Sequence, residues 1–127
     1  MKSIIVFYSM VLFFAGCETL GDQDEIKSFI PGIYVTKIDG QFSKGYDTLE
    51  LSAISKESNS YRIARRTSYH RIVDGKVLPA ELKREEYTGI FDDKDKVINE
   101  TTKGKVFSFD PERNVLLMGA SVYRKLE

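Results

Sequence analysis

The chain has 127 residues, of which 42% are apolar and 12% are aromatic. This length corresponds to about one domain and the apolar fraction is ample for a packed core, which excludes a disordered or fibrous chain. Nineteen basic residues balance nineteen acidic ones, so the net charge gives no general attraction to nucleic acid and no nucleic-acid partner is expected.

The first sixteen residues differ from the rest of the chain. Lys2 precedes an apolar run from Ile4 to Phe14, and the small residues Ala15 and Gly16 follow it. A membrane-spanning helix needs about 20 apolar residues, so this run is too short to be one, but it has the length of a signal-peptide core. Residues 1–16 are therefore predicted to be a signal peptide.

The only cysteine of the chain, Cys17, follows this segment directly. The stretch Phe14-Ala15-Gly16-Cys17 resembles the lipobox of bacterial lipoproteins, in which the cysteine is diacylglycerylated, the leader is cut before it, and the new amino terminus is acylated. The resemblance implies an exported chain held in the cell envelope by lipid chains such as palmitate on Cys17, with the outer membrane as its expected location. The alternatives are an ordinary signal peptide before an unmodified cysteine, or an N-terminal core strand.

The region after Cys17 divides into a tether and a domain. The polar, acidic stretch ETLGDQDE predicts a tether over residues 17–29, counted with the lipidated cysteine, and residues 30–127 are predicted to form one domain. Short helical turns are expected at most near residues 24–29 or 79–84, because no long stretch carries an apolar period of 3.6 residues.

From Pro31 onward, β-forming runs alternate with turn residues, and Asp74-Gly75 is a strong hairpin signal. The predicted strands are Gly32 to Ile38, Tyr46 to Ile54, Tyr61 to Val73, Glu85 to Phe91, Val97 to Thr102, Lys105 to Phe109, Val115 to Met118 and Val122 to Leu126. Short connections favour an all-β fold, a small antiparallel meander barrel of seven or eight strands, over a sandwich.

Two further resemblances concern this domain. Pro31-Gly32-Ile33-Tyr34 and Tyr123-Arg124 resemble the closing strands of lipocalin-like barrels, which implies that Arg124 packs over Tyr34 to close the barrel. The stretches YDTLELS, YRIARRTSYHRIVDGK and VYRKL resemble small lipoproteins found near conjugation genes of Gram-negative bacteria. That second resemblance implies a location and carries no activity.

The stretch YRIARRTSYHRI holds four arginines and the only histidine. Regular strand alternation would put Arg65, Tyr69 and Arg71 on the interior face and Arg66 on the other. An unpaired guanidinium inside a barrel is costly and a carboxylate or phosphate would relieve it, so these four residues are candidate contacts for a ligand or partner. Alternatively, a bulge near Arg65-Arg66 resets the alternation, and the arginines reach solvent or pair with Glu85 and Glu86.

Catalysis has little support in this sequence. His70 has no cysteine partner, and one histidine falls short of a dedicated zinc site. The aspartates of DDKD lack the glycine and distal glutamate of a calcium loop. No enzyme activity, catalytic residue, metal or cofactor is therefore expected.

These observations favour a membrane-anchored envelope lipoprotein that acts as a non-catalytic interaction or assembly module for an envelope protein. Its barrel would be filled by Tyr34, Leu49, Leu51, Ile63, Tyr87, Phe91, Phe107 and Leu117. One alternative is a hollow barrel that binds a small anionic or lipid-like ligand at a mouth lined by Arg65, Tyr69 and Arg71. Another is an inhibitor or immunity-type protein that acts through the loop DGQFSKG.

Overall fold

The computed structural model describes residues 22–55, 57 and 59–126, so that the predicted signal peptide and Cys17 lie outside the described part. One helix, α1, spans Asp22–Phe29. It is followed by eight strands: β1 (Gly32–Asp39), β2 (Ser43–Ser55), β3 (Ser60–Val73), β4 (Lys76–Asp92), β5 (Val97–Glu100), β6 (Val106–Asp110), β7 (Val115–Met118) and β8 (Ser121–Lys125). In the described residues, no helix is long and apolar enough to cross a membrane.

The eight strands form a closed antiparallel barrel in chain order, so the predicted meander barrel is confirmed. Closure comes from β1 and β8, which pair at Tyr34 with Lys125 and at Val35 with Arg124. The hairpin predicted at Asp74-Gly75 joins β3 to β4, and both residues have positive φ (51° and 77°), as a type I′ turn requires.

The barrel interior is filled with side chains. Its core includes every residue predicted there except Leu117, because Leu116 is the buried member of that pair and Leu117 is only half-buried. Leu116 lies opposite Phe109 and Tyr123, which also face inward. The buried cluster is Ile30, Tyr34, Leu49, Leu51, Tyr61, Ile63, Tyr87, Phe91, Ile98, Phe107, Phe109, Leu116 and Tyr123.

Helix α1 covers one end of the barrel, although residues up to 29 were expected to belong to the tether. Phe29 packs edge-on against Tyr34 and Phe109, with ring centroids 5.8 and 6.4 Å away. The Tyr34 hydroxyl donates to the carbonyls of Phe29 and Ile30 at 2.8 and 2.9 Å, which satisfies two carbonyls that the end of a helix leaves without partners. Helix α1 is therefore part of the folded unit.

Strands β1 to β4 extend past the other end of the barrel. The long strand β4 pairs with β3 from Lys76 to Ile90, but with β5 only from Gly89 to Asp92. Likewise, β1 pairs with β2 over its whole length and with β8 at two positions. We call the part of β1 to β4 beyond the barrel (residues 36–48 and 66–87) the extension. The end of the barrel from which the extension projects is the open end.

The segment 79–84, where a short helical turn was one expectation, is part of β4. The other segment where a short helical turn was expected, residues 24–29, lies in α1. Pro79 is tolerated in β4 because it lies in the extension, where β4 has no neighbour on its second side in the described residues.

Candidate functional site

A buried carboxylate, Asp47 of β2, organises the open end of the barrel. It is 3% exposed and accepts hydrogen bonds from three side chains. Arg65 donates through Nε at 3.0 and 3.1 Å and through a terminal nitrogen at 2.7 Å; Thr67 donates at 3.0 Å and Tyr123 at 2.6 Å. Each donor lies on the inward face of its strand, directly above the apolar core.

We call these four residues the Asp47 cluster (Asp47, Arg65, Thr67 and Tyr123), and its surroundings shift the pKa values of two of its members, Arg65 and Tyr123. The hydrogen bond to Asp47 raises the pKa of the Arg65 guanidinium above its usual value, although burial opposes this. Burial, followed by the hydrogen bond to Asp47, raises the pKa of the Tyr123 hydroxyl. Arg65 therefore stays cationic and Tyr123 stays a donor at neutral pH.

A second acidic residue continues the polar region towards the rim. Glu85 of β4 accepts a hydrogen bond from the Tyr87 hydroxyl and lies 3.3 Å from Lys83 Nζ and 3.7 Å from Lys103 Nζ. The hydrogen bond from Tyr87, aided by the two lysines, lowers the pKa of Glu85 to about 2. This carboxylate is therefore ionised throughout the physiological range.

The four candidate contact residues of β3 do not form one site. Arg65 faces inward and binds Asp47, whereas Arg71 is exposed and binds Glu81 at 2.6 Å. Tyr69 is half-buried opposite Gly45, and Arg66 lies exposed on the outer face. Only Arg65 therefore meets the expectation of a guanidinium inside the barrel, and its anion comes from the chain itself.

The expected bulge near Arg65-Arg66 is absent from β3. The register with β2 and β4 continues through both residues, and the irregularity with β4 lies between His70 and Ile72. There, Leu78 and Pro79 of β4 oppose the single residue Arg71. Alternation therefore persists along most of β3, because the strand leaves the barrel instead of bending with it.

The charged residue over Tyr34 is Lys125, not Arg124. Lys125 Nζ lies 5.8 Å from the ring centroid of Tyr34 and 4.3 Å from that of Phe29. Arg124 is exposed, because strand alternation turns it outward between two inward-facing neighbours, Tyr123 and Lys125. Burial lowers the pKa of Lys125, and its ammonium group also donates to the Phe29 carbonyl at the end of α1.

The outer face of β3 and β4 holds an open hollow of about 270 Å³ around Ala64. Ala64 lies opposite Glu86, and Arg66 lies opposite Arg84. Arg62 binds Glu86, while Arg66 and Arg84 have no ion-pair partner among the described residues. Sequence reasoning singled out Arg66 but missed Arg84, because their neighbourhood depends on strand register.

The described residues contain no group of three or more metal-ligating side chains. His70 is exposed, and its Nδ1 lies 2.9 Å from the Leu78 carbonyl oxygen. Asp92 accepts from the backbone amides of Lys94 and Asp95, so it shapes the turn between β4 and β5. These polar groups are accounted for by local structure.

Comparison with known protein families, with curated proteins and with solved structures finds no match to this chain.

Proposed function

We propose that this chain is an envelope lipoprotein, anchored through Cys17, that acts as a non-catalytic interaction module. The observation that carries the proposal is the contrast between the two parts of the sheet. The barrel is filled by its own core, whereas the extension contributes only Tyr87, at the rim, to that core, and most of its other side chains are exposed or half-buried. A binding role for this fold is therefore best supported on its outside.

The extension presents large apolar side chains to solvent. Phe42, at the turn between β1 and β2, is 73% exposed, and Val77, beside the turn between β3 and β4, is 65% exposed. The two turns adjoin, because the Ile72 amide donates to the Phe42 carbonyl at 2.8 Å. Tyr46 and Leu82 add exposed apolar surface on the outer face. Large apolar side chains exposed together on one part of a sheet are typical of protein interaction sites.

A small anionic or lipid-like ligand is a second candidate, supported by the hollow around Ala64, where Arg66 and Arg84 have no ion-pair partner among the described residues. The filled core and the Asp47–Arg65 ion pair count against such a ligand inside the barrel. An inhibitor or immunity-type function would use the same turn as the interaction module, through Phe42, and so differs in the identity of the partner.

The test is affinity capture of the tagged, full-length chain from detergent-solubilised membranes of its own host after chemical cross-linking, with mass spectrometry of proteins and small molecules. Phe42→Ser combined with Val77→Ser is the test variant. Val106→Ser combined with Val122→Ser is the matched control, because these valines are exposed on β6 and β8, away from the extension.

A stoichiometric protein that is lost with the test variant and kept with the control supports the proposal. A protein retained equally by both variants contradicts a role for the extension tip. A co-purifying anion or lipid without a protein partner would overturn the proposal in favour of the ligand-binding candidate.

A further inference from the structure

The second edge of β4 carries no strand along most of the extension. The described residues provide a partner strand only from Gly89 onward, and the Thr101 amide and hydroxyl then cover the Thr88 carbonyl. From Lys76 to Tyr87 this edge leaves backbone N–H and C=O groups without partners in the described part of the chain. Such an edge is a template for an added strand.

The backbone of this edge is interrupted only in its outer part. Pro79 and the bulge that it forms with Leu78 interrupt the edge next to the hairpin turn, and both devices discourage pairing. From Ala80 to Tyr87 the register with β3 is regular. About eight residues of regular edge therefore remain, which is a usual strand length.

The charges beside this edge indicate what kind of strand fits. Arg66 and Arg84 are directly opposite each other on the outer face, and like charges in that position are destabilising. The other arginines of β3, namely Arg62, Arg65 and Arg71, each bind a carboxylate of this chain. An acidic residue opposite Arg84 on an added strand would supply the missing anion.

The neighbouring row of side chains defines a second position. Tyr46, Ser68 and Leu82 are in register across the outer face, and Leu82 is 57% exposed. On a strand added beside β4, the residue opposite Leu82 lies two positions from the residue opposite Arg84, because every second side chain faces the same side of a sheet. An apolar residue fits the position opposite Leu82.

We propose, on the basis of the interaction function above, that the β4 edge from Ala80 to Tyr87 binds an extended segment of a partner protein by strand addition. The segment carries an acidic residue opposite Arg84 and an apolar residue opposite Leu82. Ion pairing with Arg84, and with Arg66 behind it, selects the segment, and backbone hydrogen bonds hold it.

A second copy of this chain fits the edge less well. In a two-fold antiparallel pairing, the residue on the axis lies opposite itself. Every axis position from Glu81 to Glu86 except Leu82 places a charged residue opposite its own copy. The remaining register, centred on Leu82, places Ala80 opposite Arg84 and leaves that arginine without an anion.

The test uses the full-length chain purified in detergent and a labelled peptide of sequence Thr-Val-Thr-Leu-Thr-Asp-Thr-Val-Thr, with binding measured by fluorescence anisotropy. Arg84→Glu should weaken binding about tenfold or more, and replacing the peptide aspartate by lysine should restore binding to that variant. Arg124→Glu is the matched control, since Arg124 is exposed on β8 without an ion pair in the described residues, and should leave the affinity unchanged.

Backbone pairing is tested with two N-methylated versions of the peptide, one methylated at its odd-numbered residues and the other at its even-numbered residues. One of them should lose binding, because its methyl groups replace the N–H donors that face β4. Circular dichroism establishes that each protein variant is folded. Equal binding of both methylated peptides, equal effects of Arg84→Glu and Arg124→Glu, or no binding up to about 1 mM peptide would overturn the proposal.

The two proposals fail in distinguishable ways. If membrane capture yields a partner that depends on Phe42 and Val77 but not on Arg84, the interaction function stands and strand addition at β4 is wrong. If capture yields no protein partner and the peptide does not bind, both proposals are wrong.

Discussion

Asp47 shows how one residue can decide the character of a barrel end. A carboxylate with 3% exposure would be strongly destabilising alone, but three donors from β3 and β8 surround it. Its hydrogen bond from Tyr123 connects two residues that are 76 positions apart in the chain, on β2 and β8. The pair Asp47–Arg65 therefore stabilises a single arrangement of the rim, and loss of Arg65 would leave the Asp47 carboxylate buried without its cation.

Arg65→Ala and Arg71→Ala form a matched comparison on one strand. Removing Arg65 leaves Asp47 buried with only its two hydroxyl donors, so we expect the free energy of unfolding to fall by about 3–5 kcal/mol. Arg71 binds Glu81 at the surface, and its removal should cost about 1 kcal/mol or less. Urea denaturation followed by circular dichroism measures both, and equal losses would show that the buried pair has no special role.

The stability of the fold should also depend on pH through Glu85. Its pKa of about 2 in the folded state lies below the ordinary value of 4.5, so folding favours the ionised form. The resulting stabilisation is complete above about pH 5 and is lost as the pH falls towards 2. We expect Glu85→Gln, and in part Tyr87→Phe, to reduce the loss of stability over this range. Urea midpoints at several pH values measure it, and an unchanged pH profile in Glu85→Gln would contradict this assignment.

At the level of elements, the presence of each strand could be predicted from the sequence, but the residues at which strands begin and end could not. Val, Ile, Tyr and Thr runs separated by turn residues place all eight strands, and Asp74-Gly75 fixes one hairpin. The beginning of β4 escaped prediction because the extension lacks a second layer: both faces of KREE meet water, so no apolar alternation marks a strand. Leu117 was predicted to be buried instead of Leu116 for a related reason: VLLM is apolar at every position, so no alternation shows which residues face the interior.

The pairing of distant side chains was also beyond the sequence. YDTLELS shows Asp47 among alternating residues, and its place on the same face as Leu49 and Leu51 was a usable signal. Following this alternation places the Asp47 carboxylate inside the barrel, where a carboxylate is rare unless a partner is present. Arg65 on the interior face of β3 was that partner, so the two anomalies explain each other only when considered together.

At the level of the whole molecule, the meander barrel follows from short connections between successive strands, and this part was predicted correctly. The unequal strand lengths, the cover formed by α1 and the Asp47 cluster depend on packing between distant segments. The division of the molecule into a filled barrel and an open extension was therefore visible only in the structure.

Anchoring through Cys17 remains a prediction about the whole molecule, because this residue precedes the described part. Cys17→Ala should move the protein from the membrane fraction to the soluble fraction, since loss of the acyl chains removes about 0.8 kcal/mol for each buried CH₂ group. Fractionation without detergent measures the change, with Ser9→Ala as a control in the predicted leader. Persistence of Cys17→Ala in the membrane would contradict lipid anchoring.

Helix α1 covers the end of the barrel opposite the open end, which we call the closed end, and its position determines which way such an anchored molecule would face. Five chain positions separate Cys17 from Asp22, and they span at most about 18 Å. The closed end would therefore stay near the bilayer, while β4, with 17 residues of about 3.3 Å each, rises up to about 55 Å to the hairpin turn. In this orientation the barrel would act as a spacer, and a partner protein would be sought in the aqueous compartment, several nanometres above the lipid surface.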